Sequence, residues 1–455
     1  MSYEECLAYL DPLGNDMLGR KFGLEKITVL LEALGNPQRS FPSVSVAGTN
    51  GKGSTSALLA GILSLSGNRT GLFTSPHLVR VNERIKIDGA DIRDDEFAEV
   101  FSEVRQVAEK VQRQGGWEES PSYFEFVTAT AFLHFARTRV GVAVLEVGLG
   151  GRLDATSTAE PVLALITNVD FDHERILGST LAEIAREKAG VIRPHLPVLV
   201  GVEEPEALRE IQKRAKELGA ECLEVRNFAR VTNLRSFQGF PCFDLSIKFS
   251  GGEERFPNVS VGLRGKFQVR NAVAAAAGAW KLKQAGMPVS RRALIEALRE
   301  VRWPGRLETM DFTPLLLVDG AHNPGAVRQL AEFLCDHVRP RKVRLIYASM
   351  RDKNISGISE ILFPLAEKIY LTQVSMPRAA SPQELLASAK IRPACFTLEA
   401  NPLKALELAR RESGPGDVIL AAGSLFLVGE IHKALRAGAE SRPKSEMHRL
   451  SRMNG

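Results

Sequence analysis

The chain has 455 residues, of which 44% are hydrophobic and 25% are charged, as is typical of a soluble globular protein. Because a domain usually spans about 100–200 residues, this length predicts two domains. The 59 basic residues are interspersed with 54 acidic ones, and the small net charge of +5 argues against a nucleic-acid-binding surface.

Strand-like and helical segments alternate in the first part of the chain, which predicts a mostly parallel sheet covered by helices on both faces. The strand-like segments are 44–47, 71–74, 142–147, 163–168 and 198–200. Residues 222–268 differ, because apolar and polar residues alternate there between turn signals. We interpret them as a small antiparallel meander.

A second α/β domain is expected after residues 302–306, where Pro304 and Gly305 interrupt the helical pattern. Strand-like segments then follow at 315–319, 345–348, 368–374 and 418–422. They predict a second, smaller parallel sheet. We therefore predict one domain at 1–300, a second at 301–438 and a disordered tail at 439–455.

The most specific motif is a glycine-rich segment between a predicted strand and a predicted helix. Glycines let successive backbone N–H groups face phosphate oxygens, and the helix N-terminus adds the positive end of its dipole. Lys52 can then reach the outer phosphates, and the hydroxyl of Ser54 can bind Mg²⁺. The predicted nucleotide-binding residues of this segment are Gly48, Thr49, Asn50, Gly51, Lys52, Gly53 and Ser54.

The spacing of this motif departs from the common P-loop pattern, which has four residues between its glycines and a Ser or Thr directly after its lysine. Here two residues separate Gly48 from Gly51, and Gly53 separates Lys52 from Ser54. A turn that merely joins strand to helix is the alternative. The combination of glycine, lysine and serine at this junction favours an ATP site.

Other candidates lie near the ends of predicted strands, where open α/β sheets bind their ligands. Ser75 belongs to a Ser-Pro turn, which is either a plain turn or part of a site. Glu146 ends an apolar strand, so it is either a metal ligand or half of a buried salt bridge, since a lone buried carboxylate is costly. His173 follows Asp170 and Asp172, and this cluster suits a hard cation, although most single histidines are structural.

Four more residues are candidates. Lys188 lies in a predicted helix and is, from the pattern alone, an ordinary helix lysine. In the second domain Asp319 and His322 follow a strand, which suits contacts to ribose or phosphate or else a simple turn. Arg306 is either a clamp on a phosphate or a solvated surface arginine.

Together these segments resemble the folylpolyglutamate synthase/dihydrofolate synthase family of bifunctional bacterial type, within the Mur-type ATP-dependent amide ligases. The segments that carry the resemblance, over roughly residues 20–430, are 22–27, 48–54, 75–78, 82–85, 124–125, 146–156, 172–173, 186–190, 271–272, 304–306, 319–324 and 423–424. The resemblance implies an α/β fold, with a P-loop domain like the central domain of Mur ligases and a C-terminal Rossmann-like glutamate ligase domain.

The resemblance also implies a reaction. ATP would activate a substrate carboxylate as an acyl phosphate, and the amine of L-glutamate would displace phosphate to form an amide. The acceptors would be dihydropteroate and the γ-carboxyl of tetrahydrofolate, and ADP and phosphate would be released.

The resemblance further implies which residues of this chain have functional roles. The implied catalytic residues are Lys52, Lys188 and His173. Ser54 and Glu146 would bind one Mg²⁺, and Ser75, Glu146 and His173 a second. Those implied to contact ATP across the domain cleft are Asn271, Arg306, Asp319 and His322. Phe124 and Asp154 would lie on the pterin side, Lys188 would be carbamylated, and K⁺ is a further cation that the resemblance allows.

Two other functions stay open at this stage. A Mur-like ligase could join another amino acid to a different carboxylate, and ordinary murein ligases should differ at 22–27 and 75–78. A P-loop kinase or regulatory NTPase is the other alternative. The second domain with Asp319 and His322, and Arg306 at its start, argue against a simple switch.

The remaining expectations concern compartment and partners. Five widely spaced cysteines without a C-x-x-C pair fit a reducing compartment. The acidic N-terminus does not resemble a signal peptide, and no apolar run is long enough to cross a bilayer. We expect a cytoplasmic monomer that acts on small molecules, with no nucleic-acid or membrane partner.

Overall fold

Residues 1–14, 23–117, 119–249, 252–391 and 395–440 are described by a computed structural model. The chain divides into two compact units between Trp303 and Pro304. Phe22, which begins the family segment 22–27, lies outside the described residues. So does the tail predicted at 439–455, apart from its first two residues, which end the last helix.

The N-terminal unit is built on an eight-stranded sheet. Its strands are β1 (Ser43–Ala47), β2 (Thr70–Phe73), β3 (Ile85–Ile87), β4 (Ala90–Asp91), β5 (Val142–Glu146), β6 (Pro161–Ile166), β7 (Val198–Val200) and β8 (Cys222–Glu224). They lie in the order β4-β3-β2-β5-β1-β6-β7-β8. Strand β3, next to the edge, is antiparallel to both β2 and β4, and the other pairs of neighbouring strands are parallel. The predicted mostly parallel sheet is confirmed.

Helices cover both faces of this sheet. They are α1 (Tyr3–Leu10), α2 (Glu25–Ala33), α3 (Lys52–Leu65), α4 (Asp94–Arg113), α5 (Tyr123–Arg137), α6 (Glu174–Leu177), α7 (Leu181–Lys188), α8 (Pro205–Glu217), α9 (Val225–Phe228), α10 (Phe267–Gln284) and α11 (Arg291–Glu300). Alternate residues of β5 face opposite sides of the sheet, as the strand period requires. Val142 and Val144 join the core formed with α3, α10 and α11, whereas Ala143 and Leu145 join the core formed with α2, α4 and α5.

A three-stranded antiparallel sheet confirms the predicted meander but not its limits. It consists of β9 (Ala229–Phe237), β10 (Phe240–Phe249) and β11 (Gly252–Ser260). Residues 222–224 instead extend the parallel sheet beside β7, and residues from 267 onward belong to α10. The prediction of 222–268 was therefore too wide, because alternation along a short edge strand does not indicate the direction of its partner.

The C-terminal unit has a six-stranded sheet in the order β12-β13-β17-β14-β15-β16. Its elements are β12 (Glu308–Phe312), β13 (Leu315–Asp319), α12 (Pro324–Phe333), β14 (Val343–Tyr347), α13 (Ile355–Leu362), β15 (Lys368–Leu371), α14 (Pro382–Ser388), β16 (Phe396–Leu398), α15 (Pro402–Glu412), β17 (Val418–Ala422) and α16 (Leu425–Glu440). Only β12 is antiparallel to its neighbour. The second parallel α/β sheet is confirmed, with β12 and β16 as edge strands that the sequence did not reveal. Within the described residues, no helix is both long and apolar enough to span a bilayer.

Candidate active site

The glycine-rich segment connects the end of β1 to the start of α3, as predicted. Gly48 has a φ of 146° and Gly51 a φ of 80°, which are conformations that other residues rarely adopt. A Cβ atom on Gly48 would lie 1.9 Å from Oγ1 of Thr167, and one on Gly51 would lie 2.3 Å from Oδ1 of Asn271. Both the backbone conformation and the close neighbours therefore require glycine at these two positions.

The residues that follow β6 hold this loop in place. Asn168 accepts the backbone N–H of Thr49 on its carbonyl oxygen at 3.0 Å and that of Asn50 on its side-chain Oδ1 at 2.7 Å. The hydroxyl of Thr167 donates to the carbonyl of Asn50 at 2.7 Å. Sequence reasoning placed 167 and 168 at a strand end but missed their role, since only the parallel pairing of β1 with β6 brings them to the loop.

Two lysines contact the loop. The amine of Lys52 donates to the carbonyl of Thr49 at 3.3 Å, and the amine of Lys188 donates to the carbonyl of Gly48 at 3.0 Å. Lys188 is buried, and burial together with the charge of Lys52 lowers its pKa to about 7, against a weaker opposing effect of Asp172. A substantial fraction of this amine is therefore neutral near pH 7, unlike that of an ordinary helix lysine.

Glu146 ends β5 beside the loop, since Val46 of β1 is its partner in the parallel register. Only 5% of the residue is exposed. Its Oε2 accepts the backbone N–H of Ser75 at 3.1 Å and would lie 3.4 Å from a Cβ atom on Gly53. The tertiary structure thus brings three segments together that lie far apart in the sequence.

Ser54 lies in the first turn of α3 and is buried. Its hydroxyl is 3.5 Å from Nε2 of Gln268, whose Oε1 accepts from the side chain of Asn271 at 2.8 Å. Gln268 and Asn271 are one turn apart on α10, so a single helix face reaches the loop. Sequence reasoning missed Gln268, although its spacing from Asn271 was a usable signal.

His173 precedes α6 with a φ of 51°, and its backbone N–H donates to the side chain of Asp172 at 2.9 Å. Within the part of the chain that the structure describes, no three His, Cys, Asp or Glu side chains form a preassembled metal cluster. A site for Mg²⁺ does not need one, because this ion usually keeps several waters and binds through one or two carboxylates plus phosphate oxygens. The buried carboxylate of Glu146 and the hydroxyl of Ser54, both at the loop, fit that donor set.

Asp154 and Phe124 lie together beside Gly148. Oδ2 of Asp154 accepts the N–H of Leu149 at 2.9 Å, and Oδ1 accepts the N–H of Thr156 at 3.0 Å. Burial nevertheless raises the pKa of Asp154, because its effect exceeds that of the hydrogen bonds. A Cβ atom on Gly148 would contact both Phe124, at 2.8 Å, and Asp154, at 3.1 Å.

In the C-terminal unit Asp319 lies at the end of β13 and is buried. Its Oδ2 accepts the N–H of Leu307 at 2.8 Å, and its Oδ1 accepts the N–H of Ala321 at 2.8 Å. Burial raises the pKa of Asp319, whereas the charge of Arg306 lowers it. Asp319 therefore anchors the backbone on the C-terminal side of Arg306, a role that the sequence did not suggest.

His322 lies close to the same segment. Its Nδ1 is 2.8 Å from the carbonyl oxygen of Gly320, and a Cβ atom on Gly320 would lie 3.3 Å from a terminal nitrogen of Arg306. The structure thus brings Arg306, Asp319 and His322 together within the C-terminal unit.

Replacement of Gly51 by alanine is expected to lower both the stability of the N-terminal unit and its affinity for ATP. Gly35 is a matched control, since its φ of 82° is nearly the same but nothing lies within 4 Å of its Cβ position. Gly35→Ala should cost only the backbone strain, about 1–2 kcal/mol. Gly51→Ala should cost more, because the side chain of Asn271 must also move, and thermal unfolding with and without ATP measures both effects. Equal losses of stability and unchanged ATP affinity in the two variants would contradict the assigned geometry.

Comparison with known proteins relates this geometry to characterised enzymes. Residues 46–279 match the model of the Mur ligase middle domain, and residues 305–425 match that of the Mur ligase glutamate ligase domain. The dihydrofolate synthase/folylpolyglutamate synthase of Bacillus subtilis is 31% identical over 438 residues, which cover 96% of this chain and 99% of that protein.

Solved structures of two proteins are also similar to this chain over nearly its whole length. Mycobacterium tuberculosis folylpolyglutamate synthase, complexed with ADP and AMPPCP, is similar with a TM-score of 0.87 at 29% identity, over 97% of this chain and 99% of that one. Escherichia coli FolC in complex with DHPP and ADP has a TM-score of 0.84 at 28% identity, over 96% and 99% of the two chains.

Proposed function

The chain belongs to the dihydrofolate synthase/folylpolyglutamate synthase family of Mur ligases, and from this we propose that it is an ATP-dependent carbon–nitrogen ligase. It joins L-glutamate to dihydropteroate and to the γ-carboxyl of tetrahydrofolate. The observation that carries the proposal is the position of Glu146, whose buried carboxylate lies against Gly53 of the glycine-rich loop and accepts the N–H of Ser75. A phosphate-binding loop and a carboxylate at the end of the neighbouring strand are what phosphoryl transfer requires.

The reaction has two steps. An oxygen of the substrate carboxylate bonds to the γ-phosphorus of ATP, the bond to the β–γ bridging oxygen breaks, and ADP leaves. The glutamate nitrogen then bonds to the acyl carbon, loses a proton, and phosphate leaves. Two anions must meet in the first step, so fixed positive charge and alignment supply most of the catalysis. The loop N–H groups and Lys52 provide that charge at the phosphates.

Mg²⁺ is proposed as a cofactor, and the donors present fit it. Ser54 and Glu146 would hold one ion, and Ser75, Glu146 and His173 a second. Bound Mg²⁺ would supply neutralisation of phosphate charge. The K⁺ that the resemblance allows as a further cation is tested by titrating activity with KCl. The ADP and AMPPCP complexes of the relatives support ATP as the nucleotide, and we retain Asn271, Arg306, Asp319 and His322 as predicted nucleotide contacts and Phe124 and Asp154 as predicted pterin contacts.

Lys188 is proposed to carry a carbamate. Carbamate formation requires a neutral amine, and burial lowers the pKa of Lys188 to about 7. The modification would convert a buried cation into an anionic oxygen donor. ¹³C NMR of the protein equilibrated with labelled bicarbonate should show a carbamate resonance that Lys188→Met lacks; identical spectra would contradict the proposal.

Lys188 should also make stability depend on pH when CO₂ is excluded. Its folded pKa of about 7 lies below its ordinary value of 10.5, so between these two pH values the unfolded chain binds one more proton than the folded chain. The cost of the buried amine is then complete below pH 7 and is relieved as the pH rises from 7 towards 10.5. Lys188→Met should be more stable than the parent at pH 6, by on the order of a few kcal/mol, and this gain should shrink with rising pH. Urea unfolding of both proteins across this range checks the sign, and a constant difference would contradict it.

A substrate panel tests the function as a whole. Phosphate release is measured with ATP, L-glutamate and, in turn, dihydropteroate, tetrahydrofolate or a one-carbon folate. Release that requires both glutamate and one of these acceptors is expected. Release with ATP alone would favour the NTPase alternative, and dependence on a different amino acid would favour another Mur-type ligase.

We also propose a cytoplasmic location, because ATP is the cosubstrate and because the five cysteines are all free, which suits a reducing compartment. A monomer that binds only small-molecule substrates remains the prediction. Light scattering of the purified chain tests it.

A further inference from the structure

Arg84 is a buried arginine to which the reaction described above assigns no role. It ends a short 3₁₀ turn just before β3, and only 2% of the residue is exposed. Its Nε donates to Nδ1 of His77 at 2.9 Å, and its guanidinium lies 5.2 Å from the ring centre of Tyr123. Because Nδ1 of His77 accepts this hydrogen bond, the imidazole is neutral. Both neighbours of the guanidinium are therefore uncharged.

Among the described residues, no carboxylate forms an ion pair with Arg84, and Nε is the only atom of its side chain that forms a hydrogen bond. The carboxylates whose charges act on Arg84 are Glu146 and Glu83. Glu83 accepts the backbone N–H groups of Leu78, Val79 and Arg80, and Glu146 accepts that of Ser75. A buried cation without a bound anion is costly, and burial accordingly lowers the pKa of Arg84.

The pairing register of the sheet places Arg84 at the same end of the strands as Glu146 and the glycine-rich loop. Phe73 of β2 pairs with Leu145 on one side and with Ile85 on the other. One residue further along, Thr74 donates its N–H to the carbonyl of Arg84 at 3.0 Å. Arg84 therefore lies one strand beyond β2, in the same row across the sheet as Glu146. Its other neighbour, Tyr123, directly precedes Phe124, the residue predicted on the pterin side.

We propose that Arg84 binds the carboxylate of the acceptor substrate, the group that becomes the acyl phosphate. The proposal rests on the ligase function above and adds the residue that receives the carboxylate. The two terminal nitrogens of a guanidinium form a fork that matches a carboxylate, and the hydrogen bond from Nε to His77 fixes the guanidinium in place. The guanidinium can keep its hydrogen bonds to this group while the carboxylate becomes an acyl phosphate and gains negative charge. Arg84 therefore stabilises the first transition state as well as the bound substrate.

The test combines a change in the protein with a change in the ligand. Binding of dihydropteroate, and of its carboxamide in which the charge is removed, is measured for the parent protein and for Arg84→Met, without ATP. The parent should bind the carboxylate more tightly than the carboxamide by roughly 10- to 100-fold, the range expected for a charge-assisted hydrogen bond. Arg84→Met should bind the two equally. A carboxylate preference that persists in Arg84→Met would overturn the proposal.

Two further variants separate this role from a structural one. Arg264 is a matched control, since it too is partly buried, has a pKa lowered by burial and lies 4.6 Å from the ring centre of Phe240. Arg264→Met should keep the full carboxylate preference, and loss of the preference there would overturn the proposal. Should Arg84→Met fail to fold, Arg84→Lys keeps the charge but not the fork; a reduced preference supports the proposal, and an unchanged one refutes it.

These measurements distinguish a wrong assignment of Arg84 from a wrong assignment of the ligase function. If the parent protein shows no phosphate release that depends on glutamate and an acceptor, the ligase function itself is wrong. If the parent is active but Arg84→Met retains both its carboxylate preference and its kcat, only the assignment of Arg84 is wrong. If both proposals hold, kcat of Arg84→Met should fall by about 100-fold or more, since charge stabilisation in the transition state is also lost.

Discussion

Replacement of Lys52 by alanine is expected to reduce phosphate release by about 100- to 1,000-fold, because it removes the fixed cation from the phosphate-binding loop. Lys52 begins α3, and its amine already lies over the loop, 3.3 Å from the carbonyl of Thr49. ATP affinity, measured by calorimetry, should fall as well. Lys281→Ala is the control, since Lys281 is a lysine of the same unit that pairs with Glu221.

Lys52→Ala should also change Lys188. The charge of Lys52 helps to lower the pKa of Lys188, so its removal should raise that pKa and reduce the neutral fraction of the amine near pH 7. The proposed carbamate signal should then weaken at neutral pH. Full turnover in Lys52→Ala would refute the assignment of the loop as the phosphate site.

Replacement of Glu146 by glutamine is expected to reduce turnover by about 1,000-fold and to weaken the response to Mg²⁺. The amide can still accept the N–H of Ser75, so the variant removes the charge with little change of shape. Activity is measured while Mg²⁺ is titrated, and its half-saturation should move to much higher concentration. Glu146→Ala should lose activity to a similar degree.

The control for Glu146 is Glu221→Gln, which removes a carboxylate of the same unit that lies in a surface ion pair with Lys281. Its Mg²⁺ response should equal that of the parent protein, since surface ion pairs contribute little. Parent-like Mg²⁺ dependence and turnover in Glu146→Gln would exclude Glu146 as a metal ligand.

Local sequence patterns predicted the secondary structure around the site well. The strand before the loop and the helix after it are both confirmed. Such features depend on residues within one or two turns, so a short window of sequence contains the information. The limits of the antiparallel sheet were predicted incorrectly, and strands β3, β4, β12 and β16 were missed because, at two to five residues each, they are too short to give a clear alternation of apolar and polar residues.

Interactions between segments explain why other site features were missed. Thr167, Asn168 and Gln268 contact the loop, but each is more than 100 positions away from it in the sequence. Nothing in the segment of Thr167 and Asn168 marks these two residues as loop contacts, and only the spacing of Gln268 from Asn271 gave a signal. Lys188 was identified only through the family resemblance, because the pattern of its own segment is that of an ordinary helix, whereas its burial beneath the loop changes the chemistry of its amine.

The sequence by itself determined the two parallel α/β sheets and the phosphate-binding loop, because hydrophobic period and glycine spacing are local properties, and its motifs carried the resemblance to the family. Only the tertiary structure decided which side chains share an environment. Parallel pairing aligns the carboxyl ends of β1, β2 and β5, which places Glu146 against the loop, and the antiparallel pairing of β3 with β2 places Arg84 in the same row of the sheet. Burial then sets the charge state of Lys188 and leaves Arg84 without an ion-pair partner among the described residues. Both effects depend on desolvation, which arises only when distant segments pack together.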